Sequence, residues 1–335
     1  VSLLSGYQAC EAARAKINLS LEVLDRLPDG YHELLSLMAT VQLADQVFLS
    51  LKSAQAKRSP QGPSEGDLGW LVHSDDADVP PGPANICHKA ARRFFERAGL
   101  DPTSFQLEIF IKKAIPMEAG LAGGSTDAAA LLRMLWRIWK TDLAIELGLD
   151  PDRLTLQDLE ALALETGADV PFCLKGGVRL SAGIGQLLSP ALQAPAWPLL
   201  IAKPAASVST AWAFETLDRD RQSGVACQKV EAEPREAQIW QKRLALENQA
   251  RLADWVKNDF LEIMKEEIPA IDQTIKALAR TGALAVSMTG TGSACFALYE
   301  TPSQLHLAYK SLSESMTDTQ LIMTRLSVEP EDLMG

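Results

Sequence analysis

No apolar run in this 335-residue chain approaches the ~20 residues that a membrane span requires. No secretory signal pattern opens it, although a start at Val1-Ser2 leaves room for a removed tag or targeting segment. Cysteine is sparse. Cys10, Cys87, Cys173, Cys227 and Cys295 are scattered, odd in number and never spaced C-x-x-C. That pattern argues against a disulfide framework or a zinc site, and for free thiols in a reducing compartment. Positive charge is also short: 32 Lys and Arg stand against 43 Asp and Glu, a net −11 that disfavours nucleic acid as a partner. Histidine occurs only as His32, His73, His88 and His306. Tyr31-His32-Glu33 lacks the second histidine of H-E-x-x-H, and no G-x-S-x-G elbow is present, so zinc-protease and serine-hydrolase chemistry fall away.

What is present begins with a large apolar fraction, 47% of residues, enough for two cores. The composition shifts at Ser189-Pro190 and Ala194-Pro195, which divides the chain into 1–193 and 194–335. Ile17, Leu19, Leu21 and Val23 alternate with Lys16, Asn18, Ser20 and Glu22, the pattern of a half-buried strand. More strands are expected at 41–51, 105–111, 199–202, 284–288, 294–299 and 320–327. Helical spacing predicts helices at 85–98, 126–140, 155–166, 253–267, 270–280 and 302–315. Segments 52–84 and 216–250 read as surface loop and as solvated helix and loop.

The densest signal is Pro116-Met-Glu-Ala-Gly-Leu-Ala-Gly-Gly-Ser-Thr-Asp127, set between an alternating strand and a helical pattern. Gly120, Gly123 and Gly124 let the backbone bend close to a ligand. Ser125, Thr126 and Asp127 suit a helix start, whose free N–H groups and dipole attract phosphate. No lysine follows in the Walker A position and no G-x-G-x-x-G fingerprint is formed, so this is another way of cradling a nucleotide. Thr289-Gly290-Thr291-Gly292 lies between two expected strands; alone it is a hairpin turn, and packed on the first loop it would close a phosphate site. Asp169 sits on a stiff turn before Pro171, and Lys16 interrupts an apolar strand. Separately they are a turn residue and a solvent-seeking lysine. Together they supply charge neutralisation and a base for an attacking hydroxyl, the needs of phosphoryl transfer.

The glycine loop, the strand Ala15-Lys16-Ile17-Asn18-Leu19, the turn 289–292 and Gly167-Ala-Asp-Val-Pro-Phe172 together resemble the GHMP kinase superfamily. Asp29-Gly30-Tyr31-His32-Glu33-Leu34 and Lys257-Asn258-Asp259-Phe260 narrow the resemblance to members that phosphorylate a cytidine-diphosphate sugar alcohol in non-mevalonate isoprenoid synthesis. The similarity runs from about residue 14 to about 327. It implies an α+β protein with a ribosomal-S5-domain-2-like N-terminal domain, a ferredoxin-like C-terminal domain and a substrate cleft between them. ATP phosphates would lie on Pro116, Met117, Glu118, Ala119, Gly120, Leu121, Ala122, Gly123, Gly124, Ser125 and Thr126, with Asn85 near the adenine. Family catalytic roles fall on Lys16 and Asp169, and Asn18 would hold the acceptor end. Tyr31 and His32 would grip the cytosine by stacking and edge hydrogen bonds, with Phe214 or its neighbour Trp212 completing the sandwich. Gly290 and Gly292 would form the phosphate-side loop.

The implied cofactors are ATP and Mg2+, with the Ser125 hydroxyl as the chain's own candidate metal ligand. The implied partner is the small molecule cytidine diphosphate methylerythritol, with neither nucleic acid nor membrane; oligomeric state is not legible. A cytoplasmic location is expected, or the plastid stroma if a targeting segment has been removed. Ala122 replaces a common glycine, and Thr126 and Thr289 replace common serines. Ala122 is compatible with the loop if its φ is negative. Segments 52–84 and 216–250 are longer than usual and carry no assigned function. The competing expectations are another GHMP kinase, such as a homoserine or mevalonate kinase, and a non-catalytic nucleotide-binding protein.

Overall fold

A computed structural model describes residues 6–28, 30–54, 69–221, 234–245 and 251–333. Asp29, Cys227 and parts of segments 52–84 and 216–250 lie outside the described residues. The first half contains β1 (Tyr7–Arg26), β2 (His32–Ser53), β3 (Leu71–Ser74), α1 (Ile86–Arg97), β4 (Phe105–Lys112), α2 (Gly123–Ile138), α3 (Ala144–Glu146), α4 (Leu156–Thr166), α5 (Val170–Lys175), β5 (Val178–Gly183) and β6 (Leu187–Leu188). The second contains β7 (Pro198–Pro204), α6 (Thr210–Arg221), α7 (Pro234–Arg243), β8 (Lys257–Asn258), α8 (Leu261–Glu267), α9 (Pro269–Ala279), β9 (Ala285–Met288), β10 (Cys295–Leu298), α10 (Pro302–Ser313) and β11 (Thr319–Ser327).

β1 and β2 form a long antiparallel hairpin, and β2 is the spine of the first half. Its start pairs with β5 through Leu34–Ala39, its end with β4 through Gln46–Ser53, and Thr40 and Val41 meet β11. In the second half the described strands β11-β7-β10-β9 are mutually antiparallel, with α9 and α10 packed on them. Taking β7, β9, β10 and β11 as one to four, their order 4-1-3-2 is the βαββαβ ferredoxin-like arrangement. Together with the α-helices on the first sheet this is the α+β architecture expected.

Apolar alternation explains β1, but only half of its burial. Ile17, Leu19 and Val23 enter the core, and the polar residues Lys16, Asn18 and Ser20 are buried as well. The strand is therefore not half-buried: its polar face closes a cleft rather than meeting bulk water. Register irregularities at Arg14/Lys16 and Asn18/Ser20 bracket Lys16 and Asn18, and such bulges re-aim side chains.

Four expectations need correcting. The helix expected at 253–267 is broken by β8, because Asn258 donates to the Met288 and Gly290 carbonyls at 2.8 Å and accepts from Phe260 N at 2.9 Å, holding an extended turn. Segment 52–84 contains β3, which pairs in parallel with β4 and is too short to show a period. Segment 216–250 is not simply solvated: Trp240 of α7 is only 1% exposed and meets Trp255 edge-on. Finally, α2 begins at Gly123, earlier than the serine and threonine that suggested its start.

Candidate functional site

A cleft of about 950 Å³ runs between the halves, lined at one end by the glycine loop, in the middle by Lys16, Asn18 and Asp169, and at the other end by Tyr31, His32 and Phe214. That volume suits a nucleotide-sized ligand. The glycine loop is held from both sides. Lys16 N donates to the Leu121 carbonyl at 3.1 Å, and the Ala294 N–H donates to Ala119 O at 3.3 Å. The turn after β9 is both a hairpin and a clamp. Thr289 Oγ1 lies 3.2 Å from the Gly120 carbonyl, and a β-carbon on Gly120 would stand 2.2 Å from Thr289 O, so only glycine fits there.

Ala122 overturns the expectation of negative φ. It caps α2 at φ 59°, ψ 32°, in the left-handed region. The helix must start immediately after the loop has turned back toward β1, and that reversal demands this backbone whatever the side chain. For a non-glycine residue it costs ~1–2 kcal/mol. Gly123, Gly124 and Ser125 line the cleft at the positive end of a 16-residue helix. Thr126 turns away, donating to Arg14 O at 2.5 Å. Asn85 is not on the cleft wall either. Its side chain caps α1, accepting from Cys87 N at 2.8 Å and donating to Pro80 O at 2.9 Å, while Ile86 beside it does line the cleft. Gly290 and Thr291 reach the cleft, whereas Gly292 packs near Met288.

Lys16 and Asp169, 153 positions apart in the sequence, form an ion pair with Nζ 3.8 Å from Oδ2. The lysine side chain is 5% exposed and the carboxylate 41%, so the carboxylate faces the open cleft and the ammonium stands behind it. Lys16 also donates to Asn18 Oδ1 at 2.9 Å, and Asn18 Nδ2 donates to Ser36 Oγ at 2.8 Å. Gly290 N donates to the same Asn18 oxygen at 3.0 Å. Asn18 thus ties the lysine, the hairpin turn and β2 into one network.

At the far end Phe214 stacks on His32 with centroids 4.8 Å apart and planes at 20°, and meets Phe260 edge-on. Tyr31 is 62% exposed. Both Phe214 and Trp212 pack against the core of the second half, but of the two Phe214 lines the cleft.

Two groups escaped sequence reasoning. Asp218, one helical turn after Phe214, holds His32 Nε2 at 2.7 Å; the i, i+4 spacing was the available signal. Beneath the glycine loop, Lys113 pairs with the buried carboxylates of Asp45 and Asp127, the latter at 2.9 Å. Asp45 also accepts from Ala114 N at 2.6 Å and Ile115 N at 2.8 Å. Burial, with Asp45 nearby, raises the Asp127 carboxyl to about 7 against the opposing pull of Lys113, and its Oδ1 has no partner among the described residues. No sequence period marks this cluster, because Asp45 lies inside β2, Lys113 just after β4 and Asp127 in α2. Among the described residues no group of three or more His, Cys, Asp or Glu is placed to hold a metal, and no helix is long and apolar enough to cross a membrane.

Residues 85–177 match the family described as GHMP kinases N terminal domain, and 239–318 match GHMP kinases C terminal. A 4-diphosphocytidyl-2-C-methyl-D-erythritol kinase of Acetivibrio thermocellus is 33% identical over 303 residues, covering 90% of this chain and 94% of the relative. One of the same name from Geobacillus kaustophilus is 35% identical over 303 residues, covering 90% and 91%. A crystal structure of 4-(cytidine 5'-diphospho)-2C-methyl-D-erythritol kinase superposes with a TM-score of 0.69 at 28% identity, covering 95% of this chain and 99% of that one. Homoserine kinase from Cytophaga hutchinsonii, at 19% identity and a TM-score of 0.67 over 99% and 98% of the two chains, shares the fold.

Proposed function

The chain belongs to the GHMP kinases, in their 4-diphosphocytidyl-2-C-methyl-D-erythritol kinase branch, and on that footing we propose that it transfers the γ-phosphoryl group of ATP to the 2-hydroxyl of 4-diphosphocytidyl-2-C-methyl-D-erythritol. The observation that carries this reading is the Lys16–Asp169 pair, 3.8 Å apart midway along a cleft with a phosphate cradle at one end and aromatic rings at the other. Asp169 takes the proton of the attacking hydroxyl as its oxygen bonds to the γ-phosphorus. The bond from phosphorus to the bridging oxygen breaks and ADP departs. Lys16 offsets the charge that gathers on the oxygens in flight, and Asn18 keeps the ammonium in place. The loop from Pro116 to Ser125 receives the phosphates on its N–H groups. Tyr31, His32 and Phe214 receive the cytosine, where ring stacking contributes roughly 1–3 kcal/mol per base.

Magnesium would be held mainly by the ATP phosphates, with the cleft-lining Ser125 as the chain's own candidate ligand, and would supply neutralisation of phosphate charge. We place the division between the nucleotide domain and the second domain at 193/194, before β7. The described cysteines Cys10, Cys87, Cys173 and Cys295 are free thiols, which supports work in a reducing compartment such as the cytoplasm. The test offers ATP with the cytidyl substrate, homoserine or mevalonate in separate reactions and measures ADP release. Release with the cytidyl substrate alone is the expected result; release with homoserine or mevalonate instead overturns the assignment.

A further inference from the structure

Resting on the kinase reading above, we infer that Asp218 is a positioning residue that sets the hydrogen-bond polarity of His32 and so makes the cleft choose cytosine over uracil. His32 is buried, yet it lines the cleft, and three constraints hold its ring. Phe214 covers one face at 4.8 Å, β2 fixes its backbone, and Asp218 Oδ1 sits 2.7 Å from Nε2. Phe214 and Asp218 are four residues apart on α6, so one helix face grips the ring by its plane and by its edge.

The carboxylate is itself fixed. Its second oxygen lies 3.5 Å from Arg26 Nη1. One turn further along α6, Arg221 donates to Asp259 Oδ2 at 2.9 Å, and the same Asp259 oxygen accepts from Val23 N at 2.9 Å, which ties α6 to the end of β1. The helix that carries Asp218 is thereby anchored to β1, and Arg26 and His32 each hold one oxygen of its carboxylate.

A carboxylate only accepts, so in a neutral imidazole the single ring hydrogen must sit on Nε2. Nδ1 is then a bare acceptor, and it has no hydrogen-bond partner among the described residues and is not among the sealed polar atoms. The 4-amino group of cytosine donates two hydrogens, and one satisfies that acceptor. Uracil carries a carbonyl oxygen in its place, and two acceptors facing each other repel. Selection thus comes from the carboxylate that holds the histidine at Nε2, on the wall of the same cleft. A site built around such a donor–acceptor match rejects the mismatched ligand because a polar atom is left unpaired.

Asp218→Asn is the informative change, since its amide can donate to Nε2 and push the ring hydrogen to Nδ1. Expected for D218N is a KM for the cytidyl substrate at least tenfold higher, with kcat and the KM for ATP within about twofold of wild type. Binding of CDP and UDP, measured by calorimetry without ATP, should show the wild-type preference for CDP shrinking at least tenfold in the variant. Nitrogen-15 imidazole spectra of the unsubstituted protein at pH 8, with His32 identified by its loss in His32→Gln, should show a protonated Nε2 and a bare Nδ1. This last measurement needs no stable Asp218 variant. A protonated Nδ1 in the wild-type protein, or an unchanged CDP-to-UDP ratio in D218N, overturns the role of Asp218. A wild-type protein that phosphorylates no cytidyl substrate removes the kinase reading instead, so the two failures are told apart.

Discussion

Asp169 and Ala122 show how much depends on single residues. Asp169→Asn keeps the size of the side chain and removes its ability to take a proton. Turnover should fall by about 10²–10⁴-fold with ATP affinity nearly intact, as read from steady-state kinetics and nucleotide titration. Lys16→Ala should behave likewise, since it leaves Asp169 without the ammonium 3.8 Å away; a normal rate in either variant would dismiss the pair. Ala122 makes a different prediction. Its left-handed backbone at φ 59° is strained for alanine. Ala122→Gly should stabilise the protein by up to about 1 kcal/mol in urea unfolding, because strain relief of ~1–2 kcal/mol exceeds the added chain entropy of glycine. The residue types were legible at both positions. The sign of φ at 122 was not, because it is imposed by where the loop must go before α2 begins.

At the scale of the element, the glycine loop and the start of α2 rest on buried charge. Lys113 bridges Asp45 and Asp127 under the loop, and a β-carbon on Gly123 would come within 3.3 Å of Lys113 Nζ. Asp127 is raised from 3.8 to about 7, chiefly by burial. A raised acid binds its proton more tightly folded than unfolded. Its stabilising effect is complete below about 3.8 and is lost as pH rises through about 7. Wild-type melting temperature should therefore decline between pH 5 and pH 8 relative to Asp127→Asn, whose neutral amide does not titrate. Parallel curves for the two proteins would reject this account. Asp127 was legible as part of a helix start, but its two partners were not, since Asp45 and Lys113 are separated from it by 82 and 14 positions and no local pattern joins them.

For the whole molecule, the two halves share a core. Ile17 and Leu37 of the first half pack in one buried cluster with Phe296, Trp240 and Trp255 of the second. β11 joins both sheets by pairing with β7 along Thr319–Arg325 and with β2 at Leu326 and Ser327. The chain's end is strapped back by Arg14, which holds Glu331 at 2.9 Å, and by Glu331 N bonded to Lys175 O at 2.9 Å. Calorimetry should therefore show one cooperative transition with equal calorimetric and van't Hoff enthalpies; two resolved transitions would mean that the halves unfold independently. A boundary drawn from prolines near 190–197 falls just ahead of β7, the first of the four strands of the second half's sheet. It misses that β8 then returns to pair with β1 at Ser20 and Leu21.

By itself the sequence determined the strand and helix periods, the glycine-rich loop and the types of side chain proposed to serve phosphoryl transfer, because periodicity, backbone permissiveness and functional-group chemistry are local properties. Tertiary structure alone decided that Lys16 and Asp169 meet, that the polar face of β1 looks into a cleft, that Asp218 stands behind His32 and that Ala122 is left-handed. Each of these depends on which distant segments the shared core brings together, and distance along the chain carries no record of it.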